Sequence, residues 1–275
     1  MEQQESRKKT ALVTGASSGI GREMARYLAE LQYDLILTAR DTAKLQKLRE
    51  EILRGNAAKG LDAREITLIP ADLSREEECR RLYEEVHRCA LFPTMVINNA
   101  GLGVYGAFAD TDLDSDLNQI HVNVTAVHIL TKLFLRDLLA AGEGTILNVG
   151  SSAGFLAGPM FSGYYASKNY VVRLSEAIHE ELRHRNTKVT VSVLCPGPVE
   201  TAFDRRAGVK QSMHGMDPAA VARAGIDGAR KGKMVIVPGV TMKLGVFFGR
   251  LLGEHLMTRV TYTIQKRKAG KTENA

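Results

Sequence analysis

Cysteine is scarce and poorly spaced for structural chemistry: the chain holds three in 275 residues, Cys79, Cys89 and Cys195, with no Cys-x-x-Cys pair. That excludes a disulfide scaffold and speaks against a zinc knuckle or a thioredoxin-like site. No metal is expected, and free thiols point to a reducing, cytoplasmic setting. Long apolar runs are also missing. The longest stretch without Asp, Glu, Lys or Arg is 144–167, and Gly154, Gly158, Pro159 and Gly163 interrupt it. It reads as strand and loop, not as the roughly 20 apolar residues of a spanning helix. Residues 1–9 show no apolar core of a secretory signal. Aromatics amount to only 6% and do not interleave with basic residues, while basic doublets such as Arg80-Arg81 lie among acids. No nucleic-acid partner is expected.

What is present is ordinary globular material, 44% hydrophobic and 25% charged, in a length that suits one large α/β domain or two small ones. Thirty-seven Lys and Arg against 31 Asp and Glu leave a net charge of +6, which an anionic cofactor would use well. Short runs rich in β-branched residues at 10–14, 35–38, 66–69, 95–97, 145–149, 189–194 and 234–237 alternate with longer amphipathic stretches. These lie at 21–31, 42–54, 75–89, 117–139, 169–182 and 218–229. Strands fed by helices of that length demand parallel, right-handed crossovers, hence one doubly wound α/β sheet with helices on both faces. No repeat or linker divides it.

The first strand ends in Thr14-Gly15-Ala16-Ser17-Ser18-Gly19-Ile20-Gly21 and runs directly into a helix. Glycines at 15, 19 and 21 allow a tight turn and a close approach of backbone N–H groups to a pyrophosphate, with the helix N-terminus behind them. In a βαβ unit this reads as a dinucleotide site. An acid about 20 residues further on would grip a ribose 2′-hydroxyl. Arg40 stands there instead, after the neutral Ala39, and a guanidinium suits a 2′-phosphate. Asp41 reads as the N-cap of the next helix. NADP(H) is expected ahead of NAD(H).

Tyr164 and Lys168 are four apart at the start of a helical pattern, so both point to one face. A cation beside a phenol favours phenolate, and the spacing predicts a lowered Tyr164 pKa and a usable proton donor or acceptor. Tyr165 cannot replace it at this spacing, because position 169 is Asn. The pair His179 and His184 is five apart and reads as a solvated helix face. Cys195 reads as a small core residue.

Taken together, Thr14 to Gly21, Asn98-Asn99-Ala100-Gly101, Asn123, Ser151, Tyr164-Tyr165-Ala166-Ser167-Lys168 and Pro196-Gly197 resemble the classical short-chain dehydrogenase/reductase family in order and spacing, over about residues 8–238. The resemblance implies a Rossmann-type sheet of seven parallel strands in order 3-2-1-4-5-6-7 and reversible hydride transfer to a carbonyl. It implies Tyr164 as acid/base, Lys168 lowering its pKa and binding the nicotinamide ribose, and Ser151 on the substrate oxygen with Ser152 as second choice. Asn123 would hold a water leading from Lys168 to solvent. Asn99, Ala100 and Gly101 would pass beneath the cofactor, Asp72 and Leu73 would meet its adenine end, and Pro196, Gly197, Val199 and Thr201 would complete its site beside Gly15, Ser17, Ser18, Gly19, Ile20 and Gly21.

Residues 199–216 are loop-like, with Arg205, Arg206, Lys210 and His214 among small side chains, and the family uses this region as a lid. From 241 to 268 apolar residues recur at helical spacing, Leu244, Phe248, Leu251 and Leu252 among them, with glycines at 245, 249 and 253. The segment is expected to be a helix covering the cleft or a subunit interface, its glycines permitting close approach. A membrane-surface helix is the alternative. The sequence thus points to an NADP(H)-dependent oxidoreductase, a homodimer or homotetramer, acting on a carbonyl or alcohol of an apolar small molecule. A non-catalytic NADP(H) sensor or a membrane-peripheral scaffold stands as the other reading.

Overall fold

The structure, a computed structural model, describes residues 9–209, 215–251 and 253–268, with the side chains at 247–251, 267 and 268 outside the description. Lys210 and His214 therefore lie outside the described residues, as do the side chains of Phe248, Leu251 and Leu252. Seven strands, β1 (Thr10–Thr14), β2 (Asp34–Thr38), β3 (Ile66–Leu68), β4 (Met95–Asn98), β5 (Glu143–Val149), β6 (Lys188–Leu194) and β7 (Val235–Ile236), pair in parallel in the order β3-β2-β1-β4-β5-β6-β7. That is the expected order.

Side-chain alternation decides how the sheet is covered. Ala11, Val13, Leu35, Leu37, Met95 and Ile97 point to one face. There they meet Met24 and Leu28 of α1 (Gly19–Glu30), Leu45 and Leu48 of α2 (Thr42–Ala58) and Ile226 of α8 (Pro218–Arg230). The residues between them, Leu12, Ile36 and Val96, point the other way. They meet Leu82 and Val86 of α3 (Glu76–Arg88), Leu130 and Phe134 of α5 (Ala126–Ala141) and Leu182 of α6 (Ser162–His184). A strand buried on both faces loses the polar half of its alternation, which is why these runs are apolar throughout.

Helix boundaries follow local chemistry. Asp41 accepts from Lys44 N at 3.0 Å and starts α2, so the N-cap reading of this residue holds. Asp217, followed by Pro218 at the first helical position, starts α8. The amphipathic stretch expected at 117–139 is longer and less regular. α4 (Leu113–Ile120) passes through a π-helical turn, His121–Thr125, into α5. Helix α6 begins at Ser162, seven residues before the apolar period becomes visible, because its first two turns face the site rather than the core. His179 is not a solvated side chain, since its Nδ1 lies 2.7 Å from Val191 O.

A bridge joins Val199 to Met216, with α7 (Phe203–Arg206) between them. The expected C-terminal helix is two helices, α9 (Val240–Leu251) and α10 (Glu254–Lys268). Two of its three glycines do not mark close packing, since a Cβ on Gly245 or Gly253 would meet nothing within 4 Å, and the surroundings of position 249 lie outside the description. Among the described residues no helix is long and apolar enough to cross a membrane.

Candidate active site

The sheet order reverses between β1 and β4, and parallel strands that diverge there leave a crevice at their carboxyl ends. Thr14 holds the two edges together. Its Oγ1 accepts from Asn99 N at 2.9 Å and Ala100 N at 3.0 Å, while Asn99 Nδ2 donates to Thr14 O at 2.9 Å. Gly15 turns the chain at φ +63, and a Cβ there would lie 2.9 Å from Ala100 Cα. Only glycine satisfies both the left-handed backbone and that approach. Gly21 serves packing instead. It does not line the crevice, and a Cβ on it would lie 2.3 Å from Asn99 Nδ2. Ser18 precedes α1 in extended conformation and its side chain does not cap the helix. The opening N–H groups of α1 are thus left to whatever binds beside Ser17, Ser18, Gly19 and Ile20.

At the end of β2, Arg40 is exposed along the same crevice and makes no hydrogen bond or ion pair among the described residues. Asp41 is committed elsewhere: besides capping α2 it pairs with Lys44 Nζ at 2.7 Å, and these bonds hold its carboxyl below the usual range. Asp72 likewise accepts from Ser74 N and Oγ, at 3.2 and 2.9 Å, which shapes the turn that presents Asp72 and Leu73. A nicotinamide dinucleotide fits this donor set. The glycine turn leaves room where a Cβ would clash, and the helix terminus offers uncapped N–H groups.

Ser151 follows β5, and Tyr164 and Lys168 sit in the first two turns of α6. Ser151 hydrogen-bonds the Tyr164 hydroxyl. The Tyr164 ring stacks on Phe161, centroids 4.6 Å apart, and leans on Phe203 at 5.2 Å. Lys168 is buried and its Nζ donates to Val149 O at 2.8 Å. The expected lowering of the Tyr164 pKa is not what the pocket does. Burial pushes this phenol up to about 12, outweighing the Ser151 bond, and burial brings the Lys168 ammonium down to about 8.

Asn123, from the π turn, is buried behind the site rather than lining it. Its Nδ2 donates to Leu102 O at 2.8 Å and Ser167 Oγ at 3.0 Å, and its Oδ1 accepts from Leu102 N at 3.0 Å. It braces the segment after Gly101 against the helix of Tyr164. Apart from Gly21 and Asn123, every residue expected at the site lines one cavity of about 800 Å³: Gly15, Ser17, Ser18, Gly19, Ile20, Arg40, Asp72, Leu73, Asn99, Ala100, Gly101, Ser151, Tyr164, Lys168, Pro196, Gly197, Val199 and Thr201. Ser152 lines it too, so position alone does not separate the two serines.

The sequence puts the C-terminal segment over the cleft or a subunit interface without singling out the side chains of the cavity's apolar end. Val104, Phe155, Leu156, Phe161 and Phe203 line it, joined by Met242 and Val246 of α9 and Ile264 of α10. Among the described residues no cluster of His, Cys, Asp or Glu could hold a metal ion.

The sequence profile described as short chain dehydrogenase matches residues 9–212. The ketoacyl reductase HetN of Nostoc sp. is 31% identical over 78% of this chain and 73% of its own. A short-chain dehydrogenase from Sphingobium yanoikuyae, solved with NADPH, superposes with a TM-score of 0.77 at 28% identity, over 88% of this chain and 93% of that one. A short-chain dehydrogenase/reductase from Burkholderia phymatum, solved with NAD, gives the same TM-score at 22% identity, over 97% and 98% of the two chains. That last likeness speaks for the fold alone.

Proposed function

The chain belongs to the short-chain dehydrogenase/reductase family of oxidoreductases, and from that premise we propose that it is an NADP(H)-dependent enzyme reducing the carbonyl of an apolar substrate, a ketone, a 3-oxoacyl compound or a steroid-like molecule, or oxidising the matching secondary alcohol. The observation that carries this reading is the convergence of Ser151, Tyr164 and Lys168 on one cavity with the glycine turn and Arg40. The apolar walls support the substrate class, as does the likeness to a ketoacyl reductase.

Gly15 to Ile20 and Arg40 would hold the pyrophosphate and 2′-phosphate, Asp72 and Leu73 the adenine end, and Asn99 to Gly101 with Pro196, Gly197, Val199 and Thr201 the remainder. The bound nicotinamide supplies or takes up the hydride. The chain's own residues handle the proton and the orientation. Ser151 and Tyr164 would donate to the substrate oxygen, stabilising the negative charge that develops as the carbonyl is reduced. A phenol pushed to about 12 keeps its proton at neutral pH, and giving that proton to the oxygen completes the alcohol. Lys168, depressed to about 8, still carries most of its charge at pH 7 and favours the phenolate left behind. Asn123 keeps the wall beside Gly101 and the first turns of α6 in register. A homodimer or homotetramer fits the exposed apolar stripe Leu113, Leu117 and Ile120 on α4.

The test is a screen of apolar ketones, 3-oxoacyl thioesters and secondary alcohols, followed through the absorbance of the reduced nicotinamide with each cofactor. NADPH-dependent turnover of at least one class supports the reading. Tight NADPH binding without turnover of any class speaks for a sensor.

A further inference from the structure

Most of the chain's net charge sits at one end. Residues 240–275 hold seven Lys and Arg against two Glu, so five of the six net positive charges fall in the last 36 positions. Helix α10 is also inverted in polarity. Among the described residues the side chains that α10 buries are Thr261 and Gln265, one turn apart, and both are tied down. Thr261 Oγ1 donates to Ala157 O at 2.8 Å, Gln265 Nε2 donates to the Tyr165 hydroxyl at 2.6 Å, and the Tyr105 hydroxyl donates to Gln265 O at 2.5 Å. Facing outward instead are Leu256, Val260 and Ile264, four apart and 51, 40 and 39% exposed, and α9 adds exposed Val240 and Leu244. Lys243, Arg259 and Lys266 are exposed on the same two helices and enter no ion pair among the described residues.

An apolar stripe with free cations beside it is complementary to an anionic bilayer surface. It is a poor match for a second copy of itself, since two faces of like charge repel. Pairing it with the exposed α4 stripe, which carries Asp110, Asp112 and Asp114, would be head-to-tail and would not close a two-fold dimer. We propose that α9 and α10 seat the protein on an anionic membrane surface, beside the apolar end of its cavity. Ile264 belongs to both the exposed stripe and the cavity wall, so an apolar compound dissolved in the lipid would enter past it. That last consequence rests on the carbonyl-reductase reading; the docking does not.

The experiment is sedimentation of the full-length protein with sucrose-loaded vesicles of phosphatidylcholine, with or without about 30 mol % phosphatidylserine. Binding should be about tenfold stronger to the anionic vesicles at about 0.1 M salt and largely lost at about 0.5 M. The paired change Arg259→Gln with Lys266→Gln should lower the partition about tenfold, and Leu256→Ser should lower it severalfold. NADPH binding, unchanged in each variant, confirms a folded protein and reads the cofactor site separately. No sedimentation with anionic vesicles, or equal sedimentation of parent and variants, overturns the proposal. So does a light-scattering mass that Leu256→Ser lowers to the monomer's, which would make a second copy the occupant.

Discussion

The Lys168 ammonium stands 5.9 Å from the centre of the Tyr164 ring and gives a hydrogen bond to the Val149 carbonyl, not to the phenol. One helical turn brings both groups into the cavity, with the lysine anchored to the end of β5. The phenolic proton is held by burial, against the Ser151 hydrogen bond, which favours its release. Tyr164→Phe should leave NADPH binding within about twofold and cut turnover by roughly 10²–10⁴, the usual worth of a positioned proton donor. Stopped-flow fluorescence for binding and steady-state rates for turnover check the two halves. Near-normal rates would remove Tyr164 from the mechanism.

Lys168 also leaves a thermodynamic trace. Its ammonium is depressed from 10.5 to about 8, so between those pH values the unfolded chain binds a proton that the folded chain does not. Stability contributed by this group consequently rises with pH across that window. Tyr164, Cys79 and Cys195, all raised to about 12, act in the opposite sense at higher pH. Comparison with Lys168→Met isolates the lysine. From pH 8 to pH 9 the parent should gain about 1 kcal/mol on that variant in urea titrations. A difference that is flat with pH would show that Lys168 titrates as it does in water.

Arg40→Ala should raise the Kd for NADPH about 10- to 100-fold and that for NADH by less than about twofold, because only the former carries a 2′-phosphate to lose a charged partner. Isothermal titration with both cofactors decides it. An equal loss for both would place the ribose contact elsewhere.

Asn98 spans three elements from the end of β4: its Nδ2 donates to Asn148 Oδ1 at 2.8 Å and to Thr131 Oγ1 at 3.0 Å, and Asn148 in turn donates to Ser175 Oγ at 3.0 Å. All four are buried. Asn98→Ala removes the shorter of two donors to Asn148 Oδ1, leaving only Thr131 Oγ1 at 3.3 Å, so it should cost about 1–2 kcal/mol of unfolding free energy, read from denaturant midpoints. Retention of full stability would mean that water replaces the amide.

Met242 presses against Gly197, where a Cβ would come within 2.4 Å of its methyl carbon, and helps close the cavity. Met242→Ala should raise the KM of a bulky ketone severalfold, leaving the NADPH Kd unchanged, as expected when about 1–2 kcal/mol of apolar contact is lost from the substrate side alone. Parallel KM and Kd measurements separate these effects.

The sheet was legible because a doubly covered strand writes itself as an unbroken β-branched run, and β1 matches its expected limits at Thr10 and Thr14. The glycine turn and the Tyr164–Lys168 spacing were legible because both depend on local geometry. The start of α6 was not, since Ser162 to Ser167 answer to a cavity and carry no apolar period. Nor was the inward face of α10: Thr261 and Gln265 belong to no apolar period, yet they are buried because tertiary hydrogen bonds are waiting for them. The lowered phenol pKa expected from charge alone failed for a related reason. A sequence shows which cation is near, but not how much water the fold removes.

The wide turn at His121–Thr125 makes the aim of the Asn123 amide a matter of counting. A π turn accommodates one residue more than an α turn, and that surplus sets the angular offset between α4 and α5. Substitutions elsewhere in the helix leave the offset alone. Deleting a single residue between 121 and 125 would regularise the helix and swing α4 by about 100° relative to α5, carrying Gln119 away from the Val104 amide it caps at 2.8 Å. At this position the fold is more sensitive to the length of the chain than to its spelling.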